Sequence, residues 1–368
     1  FIMYYVGLMS GTSMDAIDAA LVRFDNKTVL KLYREYPINN LLRHRIRAIN
    51  EKSELGHISE LDHKLGHLFA NAVNNLLEEA GIPPEEIIAI GSHGQTILHK
   101  PTTRYNTSIQ ISDPNIICAK TGITTVADFR RMDMAFGGQG APLTSAFHQY
   151  QFQQNDKSFV ILNIGGIANI TLLPANDNKI IGFDTGPGNG LLDDWIQLNK
   201  NQEFDENGNW AQSGKVNKKL LDSLLNDNYF FLSAPKSTGR EYFNLKWLKI
   251  HLNKQPLFIS PEDIQATLLQ LSVISICNTI NDVAKEYDEV LVCGGGAYNP
   301  VCLRLIKDLL PNIRVSTTKN YGLSPDCIEA VTFAWLAKQR LENKTANLPN
   351  VTGANRKVLL GGVYMPNK

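Results

Sequence analysis

The feature that most constrains the fold of this chain is a pattern that occurs twice. An apolar strand is followed by a turn of small residues and then by a second strand. Short apolar runs bounded by glycine and serine are typical of paired strands. The four predicted strands are residues 4–8, 17–24, 159–163 and 167–173. The repeat therefore predicts two similar α/β halves, and two such halves facing each other leave a cleft that suits a ligand.

The rest of the chain mixes further short strands with amphipathic helices. Predicted strands cover residues 87–90, 123–127, 180–183 and 290–292, and predicted helices cover 59–80, 262–285 and 325–341. The polar stretches 199–217 and 342–355 are expected to be an irregular insertion and a surface loop. A length of 368 residues exceeds what one hydrophobic core usually serves. We therefore expect an N-terminal lobe over 1–140 and a C-terminal lobe over 141–368, with the last helix able to pack back on the first lobe.

Composition excludes several classes of protein. The 36 basic and 36 acidic side chains give a formal net charge of zero, which is not the electrostatic footprint of a nucleic-acid binder. The most apolar window, 266–276, is polar at three positions and too short to span a bilayer, so no membrane partner is expected. Five scattered cysteines without a Cys-x-x-Cys pair indicate reduced thiols in a cytoplasmic protein.

Three turns of small residues are candidate phosphate sites: residues 10–15, 165–169 and 294–298. Glycine lets backbone N–H groups approach an anion closely, and successive N–H groups form an anion-binding concavity. The hydroxyls of Ser10, Thr12 and Ser13 would add donors. Each turn taken alone is better explained as a tight connection between strands or between a strand and a helix. Their arrangement, one at the start of each half and one near the end, favours nucleotide binding.

Four motifs then carry a resemblance to a known family. They read Leu-Met-Ser-Gly-Thr-Ser-Met-Asp from residue 8, Ser-His-Gly-Gln-Thr from 92, Asn-Ile-Gly-Gly-Ile-Ala-Asn from 163 and Asp-Thr-Gly-Pro-Gly-Asn from 184. Together they resemble the motifs of anhydro-N-acetylmuramic acid kinase, a family of the actin/Hsp70/hexokinase-like ATPases. The resemblance runs from residue 6 to about residue 362. One departure is Ala16, where the family usually has glycine.

The resemblance implies a two-lobed actin/hexokinase-like fold, also called ribonuclease-H-like, with an interdomain nucleotide cleft. It also implies an enzyme that uses ATP and Mg²⁺. Such enzymes open the 1,6-anhydro ring of 1,6-anhydro-N-acetylmuramic acid with water and phosphorylate O6. The product, N-acetylmuramic acid 6-phosphate, belongs to peptidoglycan recycling. A homodimer is also expected from the resemblance.

The predicted nucleotide contacts come from two sources. Residues 11–18 match the ATP-binding segment of the family, and the later glycine turns face the phosphates, adenine and ribose. The full set is Ser10, Gly11, Thr12, Ser13, Met14, Asp15, Ala16, Ile17, Asp18, Gly165, Gly166, Asn169, Gly186, Gly294, Gly295, Gly296 and Asn299. Asp15 is also a candidate to hold hydrated Mg²⁺ through water. The alternative for Asp15 is a turn aspartate bonded to its own backbone, and Asp18 is equally explained as a solvated strand residue.

Asp184 is the candidate catalytic residue. It ends a predicted strand just before a Gly-Pro-Gly turn, where a side chain is held rigidly. By resemblance it is the general base that takes a proton from the water attacking the anomeric carbon. The alternative is a helix cap, although Asn189 lies closer to the helix expected near Gly190.

The sugar side is predicted from charge and position. The lactyl carboxylate of the substrate asks for a planar, bidentate partner, and Arg130 and Arg131 are the candidates. An ion pair with Asp128 or Asp133 is the alternative for both arginines. The further substrate contacts are His93, Gln95 and Thr96 at a strand end and Glu329 on an otherwise apolar helix.

Two other functions remain open at this point. An ordinary amino-sugar kinase of the same fold would phosphorylate a free hydroxyl without opening a ring. An actin- or Hsp70-like nucleotide switch would act by binding a partner, but it needs a polymerisation surface or a peptide-binding appendage. No segment of the sequence suggests either feature.

Overall fold

The computed structural model describes residues 3–11, 14–101, 104–175, 179–234 and 236–366. Its strands are β1 Tyr4–Ser10, β2 Ala16–Phe24, β3 Thr28–Pro37, β4 Ile87–Lys100, β5 Thr107–Ile111, β6 Thr125–Ala127, β7 Phe159–Ile164, β8 Ile167–Leu173, β9 Ile181–Pro187, β10 Glu289–Cys293, β11 Arg314–Thr317 and β12 Gly362–Tyr364. Its α-helices are α1 Asn40–Arg47, α2 Leu55–Ala80, α3 Pro114–Thr121, α4 Arg131–Ala135, α5 Thr144–Phe152, α6 Gly190–Lys200, α7 Asn209–Ser213, α8 Lys218–Leu225, α9 Leu245–Leu252, α10 Pro261–Ala284, α11 Pro300–Leu309, α12 Ile328–Leu341 and α13 Pro349–Thr352.

The chain forms two compact units. Unit 1 consists of Phe1–Gln151 together with Cys327–Lys368, and unit 2 consists of Phe152–Asp326. The sequence-based division puts the boundary at residue 140 and allows the last helix to return to the first lobe. In the structure, α12 packs against β1, β2 and β4 of unit 1.

Within the described residues, the sheet of unit 1 has the order β3-β2-β1-β4-β6-β12, with β5 paired to β4. Strand β2 is antiparallel to β1 and β3, whereas β1, β4 and β6 run parallel. Residues Gly7 and Gly91 of neighbouring strands lie under α12. A Cβ atom would be 1.8 Å from the Ala330 oxygen at Gly7 and 1.9 Å from the Phe333 oxygen at Gly91. Glycine is therefore required for this helix to lie directly on the sheet.

The sheet of unit 2 has the order β9-β8-β7-β10-β11 over the described residues. Strand β8 is antiparallel to its two neighbours, and the remaining strands are parallel to one another. If β5 and β12 of unit 1 are left out of the numbering, both sheets have the order 3-2-1-4-5 with only the second of these five strands reversed. This is the ribonuclease-H-like topology of the predicted fold class, so the α/β prediction and the internal repeat are both confirmed.

Each unit has its own apolar core. In unit 1 the buried face of α2 carries Leu61, Leu65, Phe69 and Val73 at helical spacing, as the periodicity predicts. The helix starts four residues before the predicted position and ends at Ala80 as predicted. Gly81 follows as a left-handed C-terminal cap with a φ of +64°. In unit 2 the long helix α10 supplies much of the buried apolar surface.

Two expectations about irregular segments are wrong. Residues 199–217 contain α7, whose Trp210 and Ala211 are buried in the core of unit 2. One acidic residue of this segment, Asp205, accepts from the backbone N–H groups of Trp210 and Ala211 in the first turn of α7, at 2.8 Å each. Residues 342–355 likewise contain α13 and the buried Ala346, Asn347 and Thr352. Asn347 and Thr352 donate hydrogen bonds to the fully buried Asp133.

Over the part of the chain that the structure describes, every helix is too short or too polar to cross a membrane. All five cysteines are buried.

Candidate active site

Asp184 is the central residue of β9, the edge strand of the unit 2 sheet, and does not end the strand as the sequence predicts, because β9 continues to Pro187. A neighbouring segment holds it at three atoms. The backbone N–H of Asp184 donates to the Lys236 oxygen at 2.9 Å, and the Thr238 N–H donates to Asp184 Oδ2 at 3.0 Å. The Tyr229 hydroxyl donates to the Asp184 backbone oxygen at 2.8 Å. Both the carboxylate and the backbone of Asp184 are therefore fixed.

The environment of Asp184 gives its carboxyl group the properties of a base near neutral pH. Burial raises the pKa of Asp184 from 3.8 to about 6. The hydrogen bond from Thr238 opposes this rise, and the charge of Glu241 adds to it. A general base works best when its pKa is close to the operating pH. The capping alternative loses support, because the carboxylate bonds to Thr238 and α6 begins six residues later with Asn189 at its N-cap.

The turn at Gly165 and Gly166 is tied to the start of α6 by its carbonyl groups. The Gly165 oxygen accepts from the Asn189 N–H at 2.8 Å, and the Gly166 oxygen accepts from the Gly188 and Gly190 N–H groups at 3.1 Å each. These three N–H groups, at or just before the start of α6, therefore already donate to acceptors within the protein. Phosphate binding at this turn would instead use the N–H groups of the turn itself.

The predicted nucleotide glycines fall into two groups by the space around them. A Cβ at Gly11 would meet nothing within 4 Å, and at Gly165 and Gly295 the nearest atoms would be 3.6 and 3.7 Å away. These three positions leave room for a ligand to approach the backbone.

Gly186, Gly294 and Gly296 are instead required by packing. A Cβ would lie 2.4 Å from Asn163 Oδ1 at Gly294 and 2.4 Å from Ile164 Cγ2 at Gly296. At Gly186, φ is +146° and a Cβ would lie 3.0 Å from the Phe230 ring. Asn299, predicted beside the ribose, caps α11 by accepting from the Cys302 N–H at 3.0 Å. Asn169, also in the predicted set, lies on β8 directly opposite Asp184.

The first turn is described except for Thr12 and Ser13, which lie outside the described residues. The Ser10 hydroxyl donates to Gln95 Oε1 at 2.7 Å, and both side chains are buried. Met14 closes the turn by donating its N–H to the Gly11 oxygen at 3.1 Å, and its φ is +57°.

The strand after this turn shows how the chain accommodates a residue other than glycine at position 16. Ala16 begins β2 opposite Pro37, and its φ is not positive. Its methyl group therefore imposes no strain there. Ile17 is buried in the core of unit 1, and Asp18 accepts from the Tyr33 hydroxyl at 2.9 Å.

Asp15 is already paired with protein cations. Its Oδ1 atom is 2.5 Å from Arg43 and 4.0 Å from Arg47. Among the described residues, no group of three or more His, Cys, Asp or Glu side chains is placed to hold a metal ion. A carboxylate between two arginines does not fit an Mg²⁺ ion bound directly by protein ligands.

In unit 1, Arg130 is hydrogen-bonded to the buried His93. Arg130 donates from Nε and Nη2 to His93 Nε2 at 3.0 and 2.8 Å, and from Nη1 to the Gly140 oxygen at 2.6 Å. His93 Nδ1 is 2.9 Å from the Gly94 oxygen, so the ring carries its proton on Nδ1 and accepts at Nε2. Burial, followed by the charge of Arg130, holds the pKa of His93 well below its ordinary value. The ring is therefore neutral near pH 7.

Glu329 interacts electrostatically with the same arginine from the start of α12. Burial lowers the pKa of Arg130 to about 10, and Glu329 opposes that change. Burial likewise raises the pKa of Glu329, and Arg130 opposes it. A guanidinium has five N–H groups, and the described residues use three of those on Arg130. Two remain for a bidentate partner.

The other predicted sugar contacts have different surroundings. Arg131 forms an exposed ion pair with Asp128, from Nη2 to Oδ2 at 2.6 Å, which is the alternative weighed from the sequence. Gln95 is buried, with its oxygen accepting from Ser10 and its nitrogen donating to the Thr96 oxygen at 3.1 Å. The Thr96 hydroxyl accepts from Gln110 at 3.1 Å. The structure thus groups His93, Arg130 and Glu329, and leaves Arg131 outside that group.

Sequence reasoning missed the residues that surround Asp184, namely Tyr229, Lys236, Thr238 and Glu241. They lie far from Asp184 along the chain and belong to no motif noted from the sequence. The only available signal is the run Lys-Ser-Thr-Gly at 236–239, whose small residues indicate a turn.

Comparison with known proteins agrees with the motifs. The family model for anhydro-N-acetylmuramic acid kinase matches residues 3–366. The chain is 50% identical to the anhydro-N-acetylmuramic acid kinase of Coxiella burnetii (strain RSA 493 / Nine Mile phase I), over 99% of this chain and 98% of that protein. It is 48% identical to the enzyme of that name from Pasteurella multocida, over 100% and 98%, and 50% identical to that from Shewanella oneidensis, over 98% and 98%. The chain belongs to the anhydro-N-acetylmuramic acid kinase family.

Proposed function

We propose that this chain is an ATP-dependent kinase that opens the 1,6-anhydro ring of 1,6-anhydro-N-acetylmuramic acid and phosphorylates O6. The product is N-acetylmuramic acid 6-phosphate, an intermediate suited to peptidoglycan recycling. The observation that carries the proposal is the match to the kinase family over residues 3–366. The proposal includes a cytoplasmic location and a homodimer, both expected from the sequence.

Asp184 is the general base in this proposal. Its carboxylate takes a proton from water while the water oxygen bonds to C1 of the sugar and the C1–O6 bond breaks. The freed O6 then bonds to the γ-phosphorus of ATP, and ADP leaves; the proton on Asp184 passes to solvent. The raised pKa of Asp184, about 6, supports this role, because the group is ionised near neutral pH and still basic enough to accept a proton.

ATP binding is assigned to the small-residue turns. Gly11, Gly165 and Gly295 support this assignment, because each leaves open space where a side chain would begin. Phosphoryl transfer requires mainly positioning and charge stabilisation, which backbone N–H groups supply. Mg²⁺ would arrive with the phosphates of ATP. Contact of Asp15 with the hydrated ion through water stays a prediction, and the Asp15 carboxylate is also paired with Arg43 and Arg47.

The lactyl carboxylate of the sugar is assigned to Arg130. Its partly buried guanidinium retains two N–H groups, whereas Arg131 is paired with Asp128 at the surface. His93 orients the guanidinium through two hydrogen bonds, and Glu329 provides the compensating charge. A carboxylate bound in this way gains a bidentate, charge-assisted contact.

Turnover in ¹⁸O-water tests the proposal. Mass spectrometry of the product should find the label at the anomeric oxygen and none in the phosphate. An ordinary amino-sugar kinase would instead accept reducing N-acetyl sugars at comparable rates. ATP hydrolysis unaffected by any sugar, with assembly on adding ATP, would point to a nucleotide switch.

The role of Asp184 is tested separately by Asp184→Asn, with the exposed Asp308→Asn of the same unit as the control. The first variant should lose turnover and keep ATP binding, and the control should retain both. Near-normal turnover of Asp184→Asn would refute the assignment of the base.

A further inference from the structure

Three contacts join Asp184, Tyr229 and Lys236 in a closed ring. We propose that Tyr229 and Lys236 are positioning residues that fix the catalytic carboxylate, an inference that rests on the proposed role of Asp184. Neither residue belongs to a motif that the family resemblance supplied.

Each member of the ring is bonded to the next. The Asp184 N–H donates to the Lys236 oxygen at 2.9 Å. Lys236 Nζ donates to the Tyr229 oxygen at 3.2 Å, and the Tyr229 hydroxyl donates to the Asp184 oxygen at 2.8 Å. Moving any one of the three residues therefore strains a hydrogen bond to each of the other two.

Tyr229 is the rigid member. It is 5% exposed, and its ring packs edge-on against Phe230 and Phe243 at centroid distances of 5.8 and 5.3 Å. Its backbone N–H donates to the side chain of Asp227 at 2.9 Å. A ring held by aromatic neighbours on two sides presents its hydroxyl in one direction.

Lys236 contacts Tyr229 through its side chain and Asp184 through its backbone oxygen. Its ammonium lies 4.7 Å from the centroid of the Tyr229 ring, a cation–π distance. Asp282 attracts the same charge, which keeps the pKa of Lys236 from falling further under burial. The side chain thus anchors residue 236, whose backbone oxygen receives the Asp184 N–H.

The location of Asp184 on an edge strand explains why such a ring is needed. On its outer side, β9 has no further paired strand among the described residues, so the sheet alone leaves the Asp184 N–H without a ladder partner. The segment containing Lys236 supplies that partner, and two residues later Thr238 binds the carboxylate itself. The direction of the carboxylate therefore depends on how residues 236–238 are anchored.

The test compares Tyr229→Phe and Lys236→Met with two matched controls. Tyr242→Phe removes the hydroxyl of a neighbouring tyrosine, which donates to Asp227 Oδ1 at 2.8 Å. Lys236→Arg retains a cation over the ring. We expect each test variant to lower kcat about three- to tenfold, since one hydrogen bond is lost, with the KM values for ATP and the anhydro sugar within twofold of wild type. Tyr242→Phe should match wild type, and Lys236→Arg should recover most of the kcat lost in Lys236→Met.

A double variant separates positioning from general destabilisation. Because both residues act on Asp184 through one ring, Tyr229→Phe with Lys236→Met should lower kcat little more than the stronger single variant. Independent structural effects would multiply. The inference is overturned if the single variants keep the wild-type kcat, if KM rises while kcat stays constant, or if the two effects multiply.

The outcome for the wild-type protein distinguishes this inference from the proposed function. A wild-type chain that makes no 6-phosphate from the anhydro sugar refutes the proposed function. An active wild type and an inactive Asp184→Asn variant, combined with fully active Tyr229 and Lys236 variants, refutes the ring alone.

Discussion

The Ser10 hydroxyl donates a hydrogen bond of 2.7 Å to Gln95 Oε1, which joins the end of β1 to the parallel strand β4. The two side chains are each 1% exposed. A hydroxyl has one hydrogen to donate, so this bond uses the donor that the sequence assigns to a phosphate. The bond therefore holds the first turn against β4.

Ser10→Ala should accordingly reduce stability more than nucleotide affinity. The variant leaves the buried oxygen of Gln95 without its donor, which typically costs about 1–3 kcal/mol. Urea unfolding should show that loss, while the KM for ATP changes by less than about threefold. An ATP KM raised tenfold in a protein of unchanged stability would restore the hydroxyl as a phosphate ligand.

Gly295→Ala and Gly296→Ala should have opposite effects. At Gly295 a methyl group meets no atom closer than 3.7 Å, so the fold should tolerate it, while the space offered to ATP shrinks. We expect an ATP KM about tenfold higher with little change in stability. At Gly296 a methyl would lie 2.4 Å from Ile164, and overpacking of this kind costs about 1–3 kcal/mol. Equal effects of the two variants on ATP binding and unfolding would contradict this division.

The pH profile should report the carboxyl of Asp184. A base must be deprotonated to act, so kcat/KM should fall as pH drops below the pKa of about 6. Glu241 is one cause of the raised pKa, and Glu241→Gln should therefore move the acid limb to lower pH. Glu206→Gln, a change at another exposed carboxylate of unit 2, should leave the limb in place. A limb that does not move in Glu241→Gln would exclude the charge of Glu241 as a cause.

Asp184→Asn should be inactive and also more stable. The folded-state pKa of Asp184 lies above its unfolded value of 3.8, so the folded protein loses stability as pH rises from about 4 through about 6. Asparagine does not ionise and escapes this loss. We expect a gain of about 2–3 kcal/mol at pH 8 and almost none at about pH 3, where the wild-type carboxyl is largely protonated in both states. Chemical unfolding at both pH values measures the difference, and a variant equally or less stable at pH 8 would contradict it.

Arg130→Lys and Arg131→Lys should separate the two arginines. Lysine keeps the charge but cannot offer the planar fork that binds a carboxylate and the two bonds to His93 together. Arg130→Lys should raise the KM for the anhydro sugar at least about tenfold and leave that for ATP unchanged. Arg131→Lys alters only an exposed ion pair and should change neither by more than about twofold. The reverse order of effects would reassign the lactyl carboxylate to Arg131.

The sequence predicts the framework of the fold because its signals are local. Paired strands such as β7 and β8 and long helices such as α2 and α10 have apolar periodicities that can be recognised without knowing what packs against them. The buried polar residues are different. The sequence predicts that Asp205 belongs to a polar insertion, whereas in the structure it accepts hydrogen bonds from two helix N–H groups. The sequence likewise predicts an exposed Asn347, whereas in the structure it donates a hydrogen bond to Asp133.

The candidate site likewise contains residues that the sequence identifies and residues that only the tertiary structure identifies. Asp184 lies within β9, His93 lies within β4 and Arg130 follows β6. All three belong to motifs or charged runs that can be recognised, so the sequence finds them. That Arg130 turns inward to His93 while Arg131 turns outward to Asp128 depends on backbone direction at the start of α4, which adjacent identical residues do not reveal. Tyr229 and Lys236 reach Asp184 only through tertiary folding.

The return of α12 to the first sheet affects how the protein is made. Unit 2 occupies one continuous stretch of chain, whereas unit 1 is interrupted by it. On a ribosome, all of unit 2 emerges before the helix that covers Gly7 and Gly91. During synthesis, the face of the unit 1 sheet that α12 later covers therefore stays exposed until the end of the chain has been made. A chaperone that shields nascent chains would act mainly on this face.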